Sequence, residues 1–102
     1  MNEKKRRITF IVPAYNEENN IRRFHEETNK VTLGLNNYTC EFVFIDDGSN
    51  DSTWRVIKEI SDLDSTVKGL RLSRNFGKEM ALTAGIIEWT KFSDAVIFMD
   101  AD

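Results

Sequence analysis

Four short apolar runs, at residues 8–14, 40–45, 67–72 and 95–99, alternate with three stretches of mixed character. The runs are rich in Val, Ile, Leu and Phe with little polar alternation, the pattern of strands covered on both faces. After the first run, Ile21, Phe24 and Val31 recur at helical spacing and predict a core-facing stripe. Asn16 is a good N-cap for that helix, with Glu17 and Glu18 in its first turn, a stop near Gly34 and a turn at Asn36-Asn37. A second helix is expected to begin within residues 50–52, with Asp51 or Ser52 as its cap, and to turn Val56, Ile60 and Leu63 to one face. A third is expected over 78–91, where Ala81, Ala84 and Gly85 let it lie close to a sheet. Cys40 opens the second run and reads as a small core residue. The order β-α-β-α-β-α-β, without repeat, low-complexity segment or linker, predicts an α/β fold of three layers, α/β/α, with a mainly parallel sheet and right-handed crossovers.

The candidate chemistry follows the strands. The first run leads into Pro13-Ala14-Tyr15-Asn16-Glu17, the second ends in Asp46-Asp47-Gly48-Ser49, the third in Ser73-Arg74-Asn75-Phe76-Gly77 and the fourth in Asp100-Ala101-Asp102. In a parallel sheet these four ends share one edge, the edge at which open α/β folds bind ligands. A dinucleotide-binding turn would need glycines after the first strand, and Glu17 and Glu18 there would repel a phosphate. Gly77-Lys78 lacks the upstream glycine and the Ser or Thr of a P-loop.

Asp100 and Asp102 lie two apart on an extended segment, so both carboxylates face one way. Paired oxygen donors suit Mg²⁺ or Mn²⁺, which share their remaining coordination with substrate phosphates; the plain alternative is two solvated carboxylates at a strand end. Asp46 and Asp47 suit hydrogen bonding to a base N–H or a ribose hydroxyl, and equally suit a turn. Tyr15 is either a turn aromatic or a surface for a nucleobase. His25 reads as exposed, and Trp54 and Trp89 as packing residues.

Bulk properties narrow the field. The 102 residues suit one domain, and a net charge of -3 gives no basic field for nucleic acid. The cluster Lys4-Lys5-Arg6-Arg7 reads as a solvated tail, with attraction to an anionic membrane as the alternative. The single cysteine excludes an intrachain disulfide. The apolar stretch after the basic start is too brief for a signal-peptide core, and no run approaches a membrane span, so any anchor would lie outside these residues.

In combination, Val12-Pro13-Ala14-Tyr15-Asn16-Glu17, Asp46-Asp47-Gly48-Ser49 and Asp100-Ala101-Asp102 resemble the inverting family 2 glycosyltransferases of GT-A fold. The stretch from Leu72 to Glu79, followed by Ala81-Leu82-Thr83-Ala84-Gly85, is similar to the polyprenyl-phosphate branch, which includes dolichol-phosphate mannose synthases and, as the nearer match, bactoprenol glucosyltransferases. The resemblance runs from Ile8 to Asp102 and implies sheet order 3-2-1-4. It implies a nucleoside pocket lined by Pro13, Ala14, Tyr15 and Glu17, with Asp46 reading the base and Asp47 supporting its loop. Arg74 and Lys78 would lie near the diphosphate, Asp100 at the ribose or metal, and Asp102 would be the main metal ligand. The implied donor is a nucleotide sugar, UDP-linked rather than GDP-linked, carrying glucose, and the acceptor a polyprenyl phosphate at the cytoplasmic side of a membrane.

On this reading residues 1–7 form a basic tail and 8–102 a truncated nucleotide-sugar-binding domain. The acceptor half and the catalytic base would lie beyond it. The piece is expected to be soluble, inactive alone, and able to self-associate through the edge of strand four. Two rivals remain at this stage. A receiver-like binding module would want an acceptor aspartate after strand three, where Ser73-Arg74 stand. A sugar nucleotidyltransferase would want a glycine-rich basic loop after strand one.

Overall fold

The computed structural model describes residues 5–89 and 91–101. In chain order the elements are β1 (Arg6–Ala14), α1 (Ile21–Thr32), β2 (Tyr38–Asp46), α2 (Thr53–Leu63), β3 (Val67–Arg71), α3 (Lys78–Trp89) and β4 (Ala95–Phe98). All three strand pairings are parallel, and the order is β3-β2-β1-β4, as the resemblance implied.

Alternation along the central strands builds two cores. Phe10, Val12 and Ala14 of β1 join Phe42 and Phe44 of β2 on one face, under Ile21 of α1 and Val56, Ile57 and Ile60 of α2. Phe10 and Phe42 are register partners whose rings stack with centroids 4.9 Å apart. Each buried Phe, Val or Ile among these contributes about 1.5–3 kcal/mol through the apolar area it removes from water. On the other face Ile11, Val43 and Ile45 meet Ala81 of α3. Gly85 allows that approach, since a Cβ there would come within 2.4 Å of Ile45 Cδ1. Cys40 packs half-buried against the first core, and burial pushes its thiol pKa up.

Several local expectations change. α1 starts at Ile21 rather than beside Asn16, because Asn16 takes a left-handed conformation (φ 53°) and its side chain leaves the helix to accept the Asn50 N–H at 2.9 Å. Val31 and Leu63, expected on core faces, are exposed because each lies at a helix end beyond the sheet's cover. His25 is not exposed: its ring stands edge-on to Phe42 and its Nε2 lies 3.0 Å from Asp64 Oδ2. Ser52 is the N-cap of α2 without a side-chain cap bond, and Asp51 Oδ1 instead accepts the Thr53 N–H. β1 begins at Arg6, and Arg7 is held by Glu41 and by the Asp94 carboxylate, which accepts its N–H. α3 runs to Trp89, short of the expected end at residue 91, and the Trp89 side chain lies outside the described residues.

Candidate functional site

The end of β1 and the segments that follow β2, β3 and β4 border one cavity of about 310 Å³. β1 and its exit supply Pro13, Ala14, Tyr15 and Glu17; the exit of β2 supplies Asp47; the loop after β3 and the start of α3 supply Asn75, Gly77 and Lys78; Asp100 and Ala101 follow β4. Seven of the residues singled out from sequence thus meet, although they are spread over 88 positions from Pro13 to Asp100.

Asp47 ties this edge together. It is buried, its Oδ1 accepts the Phe76 N–H at 2.8 Å, and its Oδ2 accepts the Gly77 N–H at 2.9 Å and the Asn75 side-chain amide at 3.1 Å. Its own N–H donates to the Ala14 carbonyl at 2.9 Å, so β1, β2 and the β3 loop hold one another. Gly48 permits the turn: its φ is 69°, and a Cβ there would lie 2.1 Å from the Arg74 carbonyl carbon. Ser49 Oγ accepts the Asn16 N–H at 2.8 Å, and Thr53 Oγ1 accepts the Glu17 N–H at 2.8 Å, which anchors the two residues that follow the exposed Tyr15. At Asp51 burial alone would raise the pKa; hydrogen bonds from the Thr53 hydroxyl and amide and from the Glu18 amide outweigh it and hold the carboxyl below its usual range.

At the β4 end, Lys78 forms an ion pair with Asp100, and both side chains are more than half exposed. Asp100 offers a hard oxygen donor at the cavity, the donor type that suits Mg²⁺ or Mn²⁺. Asp102, the expected main metal ligand, lies outside the described residues. Among the described residues no three His, Cys, Asp or Glu gather as a metal cluster.

Two expected residues stand apart. Asp46 is fully buried and does not line this cavity; its Oδ1 accepts the Ser49 N–H at 3.0 Å. Arg74 stacks over Phe76, 4.7 Å from the ring centroid, and lines a neighbouring cleft of about 600 Å³ that also touches Tyr15. Asn75 and Gly77 were missing from the expected site, although their place after the third strand put them on the right edge.

The model of glycosyl transferase family 2 matches residues 9–102. The chain belongs to glycosyl transferase family 2. This family 2 chain is 42% identical over 96 residues to the bactoprenol glucosyl transferase of Shigella phage SfX, and 41% identical over 96 residues to the prophage bactoprenol glucosyl transferase homolog of Escherichia coli K12. Each alignment covers 94% of this chain and 30% of the relative, so the chain spans about a third of the length of these relatives. The crystal structure of S. aureus TarS 1-349 superposes with a TM-score of 0.72 at 23% identity, over 94% of this chain and 27% of that one, and shows the shared GT-A fold. Family membership sets aside the receiver-like and nucleotidyltransferase alternatives. Among the described residues, no helix is long and apolar enough to cross a membrane.

Proposed function

We propose that the whole protein transfers a sugar, glucose in the favoured reading, from a UDP-linked donor to a polyprenyl phosphate at the cytoplasmic side of a membrane, and that this chain is its donor-nucleotide part. The observation that carries the reading is the single cavity in which Pro13, Tyr15 and Glu17 meet Asp47, Lys78 and Asp100. The names of the relatives, bactoprenol glucosyl transferases, support the acceptor class.

In this reading Tyr15, 43% exposed at the cavity wall, packs on the base. Asp47 and the turn carrying Asp46 hold the nucleoside end. Lys78, and Arg74 from the adjoining cleft, offset diphosphate charge. Asp100 and Asp102 would hold Mg²⁺ or Mn²⁺, which when bound stabilises the charge growing on the leaving diphosphate. A phosphate acceptor is already anionic and needs little general-base help.

Incubating the full-length protein with UDP-glucose or GDP-mannose, polyprenyl phosphate and Mn²⁺ tests this. Glycolipid formed from the UDP sugar is the expected result. Product from the GDP sugar alone would overturn the uridine assignment, and product from neither would overturn the reaction. β4 also lies at the sheet edge with Ile97 and Phe98 exposed, so the 102-residue chain is proposed to self-associate there. A concentration-independent monomer in light scattering would count against that.

A further inference from the structure

Asp46 and Arg71 face each other in register at the ends of β2 and β3, and the Asp46 carbonyl accepts the Leu72 N–H at 2.9 Å. The Asp46 side chain is fully buried. Its Oδ1 is occupied by the Ser49 N–H, and among the described residues its Oδ2 has no hydrogen-bond partner. A buried carboxylate in that state is costly unless a cation compensates it. The compensating cation is Arg71, whose Nε lies 3.6 Å from Oδ2, too long for a hydrogen bond and close enough for an ion pair. Arg71 is itself braced, with its guanidinium 5.9 Å from the centroid of the Trp54 ring, and its half-exposed side chain is among those lining the cleft that Tyr15 and Ser49 also line.

From Asp46 the contacts lead outward. Asp46 holds Ser49, Ser49 Oγ holds the Asn16 N–H, and Asn16 Oδ1 holds the Asn50 N–H. Asn16 is in the left-handed region, so the direction in which the chain leaves Tyr15 depends on those bonds. We propose that Arg71 is a positioning residue of the nucleoside end, which by compensating the buried Asp46 carboxylate fixes the Ser49 turn and through it the Tyr15-Asn16 wall. Arg71 touches neither base nor phosphate in this account. The proposal deepens the nucleotide-binding reading above and rests on it for its functional consequence.

The test uses the full-length protein with Arg71→Met, which keeps an apolar stem over Trp54 and removes the charge, and with Arg71→Lys, which restores the charge. Three quantities are measured: UDP affinity with Mn²⁺ present, thermal stability, and amide hydrogen exchange. Arg71→Met is expected to weaken UDP binding about tenfold, the size of effect that loss of a counter-ion at a buried carboxylate allows. Exchange should quicken at Ser49 and Asn16 while the amides of Phe44 and Ile57 keep their protection. Arg71→Lys should return affinity to within about threefold of the parent. Faster exchange spread evenly over the core, with affinity unchanged once the folded fraction is allowed for, would reduce Arg71 to a packing residue and overturn the proposal. Unchanged exchange at Ser49 and Asn16 in Arg71→Met would overturn it as well. Failure of the folded parent to bind UDP would instead overturn the nucleotide reading, leaving the exchange pattern to decide the relay by itself.

Discussion

Asp47 and Asp100 border the same cavity, each at the carboxyl end of its strand, yet the chain treats them in opposite ways. Asp47 is buried, and its two oxygens accept hydrogen bonds from Phe76, Gly77 and Asn75. Asp100 is more than half exposed and meets the equally exposed Lys78. One carboxylate is committed to architecture; the other is available to a ligand. The difference extends to the surroundings. Near Asp47 two central strands and two helices enclose a core that includes five residues of β1 and β2, whereas β4 is a four-residue edge strand with Ile97 and Phe98 exposed. In the proposed reading, a donor nucleotide would meet a wall already held by hydrogen bonds at its nucleoside end, where little freedom remains to be lost, and an exposed ion pair at its phosphate end.

The contrast breaks most severely at Gly48. Gly48→Ala forces a side chain onto a left-handed backbone and against the Arg74–Asn75 main chain, and is expected to cost at least about 2 kcal/mol. Urea unfolding measures it; a loss under about 0.5 kcal/mol would mean that the turn is not pinned against the β3 loop. Asp47→Ala comes next. It strands two backbone N–H groups, with an expected loss of about 2 kcal/mol and a fall in UDP affinity of at least tenfold in protein that is still folded.

Lys78→Ala sharpens the comparison from the other side. An exposed pair contributes little to stability, so the change in unfolding free energy should stay within about 0.5 kcal/mol. UDP affinity should nevertheless fall about fivefold, a shift that calorimetry resolves. The smallest effect is in pH. At Asp64 burial would raise the pKa, but hydrogen bonds from Thr66 and the contact with His25 hold it below the usual range, as similar bonds do for Asp51. A lowered folded value gives stability that is fully present above the ordinary carboxylate pKa of about 3.9 and is lost as pH falls through the folded value. Stability should therefore be insensitive to these groups near neutrality and decline below about pH 4, less steeply in Asp64→Asn. The same slope in the variant would remove Asp64 from the account.

The sheet was readable because apolar runs covered on both faces have few alternatives to parallel strands, and the strand ends then placed Pro13, Asp47 and Asp100 on one edge. Strand order came from the resemblance, since spacing alone does not choose it. The start of α1 was misread because Asn16 and Glu17 carry both cap and turn chemistry, and only contacts with Ser49, Asn50 and Thr53 decide between them. His25 was misjudged for a similar reason: its partner Asp64 is 39 residues away. Arg71 left no local signal, because its role depends on register with Asp46 across two strands.

The most direct test of the central claim is calorimetric titration of UDP into the full-length protein and its Asp47→Ala and Asp100→Ala variants, each with and without Mn²⁺. The account predicts binding strengthened by Mn²⁺ in the parent, weaker binding with a smaller Mn²⁺ effect in Asp100→Ala, and the loss of binding in folded Asp47→Ala. Parent-like, Mn²⁺-dependent binding in folded Asp47→Ala would contradict it, because the nucleotide would then lie somewhere other than the edge that Asp47 holds together.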